Sequence, residues 1–504
     1  MKVLFIYPNV YAQIGFNYGI SFLSAMLKRD GHETALLNIN EKLGYPLDIP
    51  RIINDVRAFN PNLIAFSAVT NQFQHILTIA AELKKHFAVP MVCGGIHVTM
   101  VPDEVIGTGL FDSIFLGESE NAFCDYVRAL EQGTDTCSIA NCWHYNNGRV
   151  IKNPVGAFPE LQSLPLKDYE IFDFQKMIDA KHGWVGLMAS RGCPFRCTYC
   201  FNHRIVERYA NELGVPISQL NYIRHHPVQD LIREIVYLQK NYRNIRMYIF
   251  DDDLFTFDPD YIRAFCHEYQ KVTSIPFVAN AHVQTFSREI ARCLKKAGCK
   301  IIKFGIESGS EKIRRNIMHR YMTNATIQKA FRIAHEEGLH TSAFVMYGLP
   351  YETREDIMAT IQLVADIQPG RFRWAVFFPY PHTIAFEISQ QGGFINFEKM
   401  RTLNNFTDES CLDFGFEHNL FIQKLQKIFP WYVNAHSTFP AAAKYRRLIA
   451  DIERLSFAEW ESRNHAIRDI DKKISAQLAA ATQDHYAIRF NPFMAVRSDW
   501  KEND

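Results

Sequence analysis

The chain has 504 residues, enough for about three domains, and its 47% hydrophobic and 22% charged content is that of an ordinary globular protein. A formal net charge of +1 argues against a broad nucleic-acid-binding surface, and no apolar run reaches the ~18 residues that a membrane span needs. The 11 cysteines are an odd number; outside residues 193–200 they stand scattered in mostly apolar settings, such as Cys93, Cys124, Cys266 and Cys299, as buried thiols of a reducing cytoplasm do.

The first residues, Met1–Tyr7, lack the long apolar region and cleavage site of a signal peptide and read as a first strand. Further short apolar runs at 33–37, 63–66, 89–93 and 113–116 alternate with helical stretches at 18–28, 49–59, 72–86 and 121–130. Buried strands alternating with helices predict a doubly wound, flavodoxin-like or Rossmann-like parallel sheet over residues 1–150. Ligands of such sheets sit beyond the carboxyl ends of the strands. Three loops fall there: Ser67-Ala-Val-Thr70-Asn71, Gly94-Gly95-Ile-His97 and Gly117-Glu118-Ser-Glu120. Paired glycines let backbone approach a bulky ligand, and hydroxyls and N–H groups at helix starts suit amides and phosphates. These loops are similar to those of the cobalamin-binding domain that precedes many radical S-adenosylmethionine (SAM) enzymes, with Ser119 where relatives usually have Gly. The resemblance implies that Ser67, Thr70, Asn71, Gly94, Gly95, His97, Gly117 and Glu118 hold cobalamin, the loop around Thr70 and Asn71 covering its lower face. A flavodoxin-like domain holding a nucleotide, or nothing, is the competing reading. Asp30–Ala35 mimics the D-x-H-x-x-G cobalt-ligand motif, but it precedes the second strand at its amino end, so His32 reads as a turn residue.

Phe158–Pro165 carries two prolines and no period and reads as part of a linker, residues 151–180. An apolar run, Trp184–Ala189, then leads into Ser190-Arg-Gly-Cys193-Pro-Phe-Arg-Cys197-Thr-Tyr199-Cys200. Iron–sulfur clusters take cysteine thiolates, usually four, so three leave one iron open to a small molecule. A structural zinc site would instead need a fourth ligand such as His203. The C-x₃-C-x₂-C spacing resembles the radical SAM enzymes. It implies that Cys193, Cys197 and Cys200 carry a [4Fe–4S] cluster that cleaves SAM to methionine and a 5′-deoxyadenosyl radical, fed by an electron donor such as flavodoxin or ferredoxin.

Strand and helix patterns continue over residues 181–384, with strands expected at 184–189, 246–250, 277–281, 300–306, 341–346 and 373–378. This matches the family's partial (β/α)₆ barrel, whose chemistry sits at the carboxyl ends of the strands. There the resemblance places Tyr199 on the SAM adenine, Asp251 and Asp252 on its amino group, Glu307 and Ser308 of Gly305-Ile-Glu-Ser-Gly-Ser310 on its ribose, and Gly348 of Gly-Leu-Pro on its adenine. Asp253 reads as a helix cap, and Glu352 and Thr353 as caps of the following helix. The third strand lacks the Arg that relatives often carry. His282 and Gln284 alternate onto one face and could reach substrate, and His382, where relatives usually have Gly, could do so too; core or surface roles compete for each.

Beyond residue 384 the βα pattern stops. Ile467, Ile470, Ile474 and Leu478 fit one helix face, and recurring aromatics suggest a mostly helical C-terminal region, 385–504, that caps the substrate space. The cysteine usage predicts a cytoplasmic protein, and the resemblance implies an enzyme with cobalamin, SAM and [4Fe–4S] cofactors and a small-molecule substrate. The expected activity is a methyltransferase that moves a methyl group from SAM, by way of cobalamin, to an unactivated carbon or phosphorus centre. A cyclase or oxidative enzyme built from the same parts, and a cobalamin- or redox-sensing protein, are the alternatives.

Overall fold

The computed structural model describes residues 1–146, 148–403 and 409–500. The chain forms two compact units, one of Met1–Pro194 with Cys200–Ile249, the other of Phe195–Tyr199 with Phe250–Asp504.

The first unit is built on β1 (Lys2–Pro8), β2 (Glu33–Ile39), β3 (Leu63–Ser67), β4 (Met91–Gly94), β5 (Ser113–Phe115), β6 (Cys142–Asn146) and β7 (Arg149–Lys152), in the order β2-β1-β3-β4-β5-β6-β7. The first five are parallel, as their almost wholly apolar sequences predict. The last two are an antiparallel hairpin that the sequence reading missed, because its strands alternate polar and apolar residues without a continuous apolar run. Helices at Tyr18–Arg29, Ile49–Phe59, Phe73–His86 and Glu120–Gln132 connect the strands. The residues after the hairpin pack into this unit. Phe158 stacks on Tyr209 with ring centroids 3.9 Å apart, and buried Lys167 pairs with Glu234 at 2.7 Å while Tyr169 donates to the same carboxylate. Then follow β8 (Trp184–Leu187), β9 (Ser190–Arg191), β10 (Arg224–His225) and β11 (Met247–Phe250), with β9 and β10 paired antiparallel so that Arg191 and Arg224 stand opposite each other.

The second unit contains β12 (Phe277–Ala281), β13 (Cys299–Glu307), β14 (His340–Tyr347) and β15 (Arg371–Val376), all parallel and alternating with the helices Arg288–Lys296, Asn324–Glu336 and Arg354–Ile367. The C-terminal region is mostly helical, as expected, and Ile467, Ile474 and Leu478 are buried on the helix Ile467–Ala480, whereas Ile470, expected on the same face, is exposed. It also supplies two strands that were not expected, β16 (Tyr486–Ile488) and β17 (Met494–Arg497), the second pairing antiparallel with β15. Among the described residues no helix is long and apolar enough to cross a membrane.

Candidate active site

The three loops at the carboxyl ends of β3, β4 and β5 hydrogen-bond to one another. Ala68 N–H donates to the Gly94 carbonyl at 2.8 Å and His97 N–H to the Ala68 carbonyl at 3.1 Å. Gly95 has φ +101°, and a Cβ there would lie 2.6 Å from the Ala68 oxygen, so only glycine fits. His97 Nδ1 lies 3.3 Å from the Thr70 hydroxyl, its ring 4.2 Å from that of Phe73, and burial lowers its pKa to about 4, so the imidazole is neutral. Ser67 Oγ accepts from Asn17 at 3.0 Å. Gly117 N–H donates to the Thr99 hydroxyl at 2.9 Å, and Glu118 N–H donates to the Tyr209 hydroxyl at 2.9 Å. Backbone and small polar groups thus converge at this edge of the sheet, as a broad amide-bearing ligand requires. The Glu118 carboxylate is already engaged, by Arg191 at 2.5 Å and by Arg224. His32 lies in a turn beside the N-terminal amine, as expected.

In the second unit the residues 195–199 are pinned by backbone contacts: Thr198 N–H to the Met318 carbonyl at 3.1 Å, Thr198 Oγ1 to the Ile317 carbonyl at 2.6 Å, and Ala385 N–H to the Thr198 carbonyl at 3.0 Å. Cys197 and Tyr199 then face Arg320. Its Nη1 lies 3.5 Å from Cys197 Sγ and 3.2 Å from the Tyr199 hydroxyl, and its Nη2 donates to the Gly305 carbonyl at 2.6 Å. Glu307 lies beside them, at the end of β13 where the register to β14 shifts, with φ +67°. Burial pushes the Glu307 carboxyl up, while Arg320 and a hydrogen bond with Tyr199 pull it down. Burial works against the Arg320 charge, but Tyr199, Cys197 and Glu307 together raise its pKa above the usual value. A Cβ at Gly305 would displace the Glu307 carboxylate, whose Oε1 would lie 2.3 Å from it.

Arg320 is the residue that sequence reasoning missed. Relatives often carry an Arg on the third strand, whereas this cation follows the short helix Glu311–Asn316 in an irregular segment. The only available signal was a basic residue closely downstream of Gly-Ile-Glu-Ser-Gly-Ser.

The other expected residues are placed as follows. Asp252 is 1% exposed and its carbonyl accepts from Asn280 at 2.7 Å, whereas Asp251 and Asp253 are exposed. Asp253 does not cap the next helix; Asp258 does, accepting from Asp260 and Tyr261 N–H. Ser308 is buried, its hydroxyl held by Ser310 N–H at 3.2 Å and by Thr360 at 3.3 Å. Gly348 N–H donates to Glu352 at 2.6 Å; Glu352 therefore braces the Gly-Leu-Pro turn, and the helix cap is Thr353 with Asp356. β12 ends at Ala281, so the alternation expected for His282 and Gln284 stops before them. His282 is buried and stacks on Phe195 at 3.8 Å, its pKa lowered to about 3 by burial and by Arg320, while Gln284 is exposed in a turn. His382 is exposed with φ +59°. None of the eleven cysteines is in a disulfide. Among the described residues no three His, Cys, Asp or Glu side chains converge as a preformed metal-binding group. Cys193 and Cys200 are half-exposed, and His203 Nε2 lies 2.9 Å from Glu207. A thiol facing a guanidinium, with two further thiols in the same short segment, is a donor set that suits an iron–sulfur cluster.

Comparison with known proteins agrees with this arrangement. Residues 6–127 match the B12 binding domain and residues 187–364 the Radical SAM superfamily. These two domains define the class. The chain is a cobalamin-dependent radical SAM enzyme, and its cofactors are those of that class: cobalamin, SAM and a [4Fe–4S] cluster. It is 28% identical over 400 residues to the uncharacterized methyltransferase PH0819 of Pyrococcus horikoshii, covering 77% of this chain and 83% of that protein. It is 24% identical over 441 residues to the anaerobic magnesium-protoporphyrin IX monomethyl ester cyclase of Rubrivivax gelatinosus, covering 82% and 75%. The fold is shared with the cobalamin-dependent SAM radical enzyme OxsB, at a TM-score of 0.68 and 14% identity over 95% of this chain and 75% of that one.

Proposed function

We propose that the enzyme is a methyltransferase that alkylates an unactivated carbon or phosphorus centre of a small molecule. The SAM site that this reading needs is marked by Arg320, a buried cation facing at once a cysteine of the C-x₃-C-x₂-C motif and the carboxylate of Gly-Ile-Glu-Ser-Gly-Ser. Similarity to a methyltransferase over most of both chains supports it. When bound, the cofactors supply a hydrogen-abstracting radical and a transferable methyl group.

In this reading Cys193, Cys197 and Cys200 hold the cluster. Arg320 stabilises the Cys197 thiolate and, with Tyr199, Asp251, Asp252, Glu307, Ser308 and Gly348, orients SAM. Ser67, Thr70, Asn71, Gly94, Gly95, His97 and Gly117 hold cobalamin, while Glu118 braces the loop through Arg191. The C-terminal helices close the substrate space against water. An electron donor such as flavodoxin or ferredoxin, and a reducing cytoplasm that keeps eleven cysteines as thiols, complete the reading.

A cyclase remains the second reading, because the similarity to the R. gelatinosus cyclase is as extensive. Mass comparison of metabolites from cells with and without the gene tests both. A product heavier by one methyl group supports methyl transfer; a product formed by loss of hydrogen or by ring closure replaces it with the second reading.

A further inference from the structure

β15 carries two guanidiniums on one face. Trp374 donates its indole N–H to the Gln426 carbonyl of the helix Phe416–His436 at 2.9 Å, and Phe372 packs against Phe429 of the same helix. Residues 372 and 374 therefore face the helices, and Arg371 and Arg373 alternate onto the opposite face of the sheet. Arg371 is 5% exposed, and its Nε is buried with no hydrogen-bond partner among the described residues. Burial and the neighbouring Arg373 lower the Arg371 pKa to about 10, burial lowers that of Arg373, and among the described residues no carboxylate contributes to either. The Arg373 guanidinium lies 5.8 Å from the Phe344 ring on β14. The register places Gly305, Phe344 and Arg373 in one row and Lys303, Ser342 and Arg371 in the next. Both rows lie on the face that leads up to Gly305, whose carbonyl Arg320 holds.

A buried cation without a counter-ion costs several kcal/mol, on the order of a whole domain's margin of stability. Arg371 and the half-buried Arg373, two residues apart on a strand and so about 6.7 Å apart along it, gain a counter-charge when an anion binds. We infer that the sheet face around Arg371 and Arg373 binds a substrate with two negative charges, a diphosphate or a dicarboxylate, each guanidinium taking one oxyanion. Planar guanidiniums suit this because they grip carboxylate and phosphate through paired N–H groups. The inference rests on the proposed function only in taking this anion to be the substrate.

The test is thermal melting of the anaerobically reconstituted holoenzyme with pyrophosphate, succinate or chloride at constant ionic strength. A saturable rise with pyrophosphate or with succinate is expected, and the stronger of the two identifies the oxyanion. R371Q and R373Q each weaken that binding about tenfold or more, as loss of a charged hydrogen bond does. R371M, which removes the unpaired charge, raises the melting temperature of the anion-free protein and so shows that the variant folds. Absence of a saturable rise in the parent protein overturns the inference, as does an equal rise in the variants. Loss of SAM affinity in R371Q or R373Q, read from the electron paramagnetic resonance signal of the reduced cluster, also overturns it, because the pair would then serve SAM. If the parent protein releases no 5′-deoxyadenosine yet binds the anion saturably, the radical reading fails and the anion site stands.

Discussion

Glu118 Oε2 accepts a hydrogen bond from Arg191 Nη1 at 2.5 Å, and Arg191 stands two residues before Cys193. Glu120 takes the other arm of the same guanidinium at 2.7 Å, and Arg224 reaches Glu118 from the paired strand. One loop at the edge of the first sheet thus fixes the backbone that enters the cysteine motif. Removing Arg191 would leave Glu120, which is 5% exposed, without its partner. R191M is expected to cost about 3 kcal/mol, the order seen when one member of a buried ion pair is lost, and to lower iron content per protein. R191K should recover part of both. Denaturant titration and iron analysis check this, and wild-type values for R191M would remove the proposed brace.

Arg320 makes a different prediction. Its replacement by Met takes away the charge facing Cys197 and Tyr199. Uncoupled release of 5′-deoxyadenosine should fall about tenfold to a hundredfold, the range of one to two charge-assisted hydrogen bonds. R320K, which keeps a charge but not the two-armed geometry, should fall between the two. The readout is single-turnover product analysis under dithionite.

Glu352 gives a pH dependence. Burial raises its pKa from 4.5 to about 8, although two backbone N–H groups oppose the shift. The folded protein then keeps a proton that the unfolded chain releases. This contribution is fully present below pH 4.5 and is lost as pH rises toward 8, at up to about 1.4 kcal/mol per pH unit. E352Q retains an acceptor for Gly348 and Leu349 N–H but cannot ionise. Melting curves between these limits should be flatter with pH for E352Q than for the parent, and equal slopes would remove Glu352 as their source.

Gly95 tests the cobalamin edge. G95A combines φ +101° with a Cβ 2.6 Å from the Ala68 oxygen. Strain alone costs about 1–3 kcal/mol, and the Ala68 and His97 loops must separate to relieve the overlap. Cobalamin retention, followed by its visible absorption after gel filtration, should drop sharply, while iron content, which depends on residues 193–200, changes less.

The parallel strands were legible because buried parallel strands are written as short apolar runs, and Leu63–Ser67 and Met91–Gly94 are such runs. The hairpin Cys142–Lys152 and the strand Met494–Arg497 were not, since short, partly polar strands gain their stability from the neighbour they pair with. Local motifs marked Cys197, Tyr199 and Glu307. Arg320 escaped because only tertiary folding brings it back over residues distant in the chain. His282 misled in the opposite way: its alternation with Gln284 holds only if the strand continues, and it ends at Ala281.

The packing of Phe158 on Tyr209, and the grip of Arg191 and Arg224 on Glu118, bear on how this protein can be re-engineered. A fragment ending near residue 150 would leave the Glu118 loop without either arginine, so it would not travel as a transplantable cassette. Chimaeras that exchange the corrin-binding half between family members must therefore carry Arg191 and Arg224 with it.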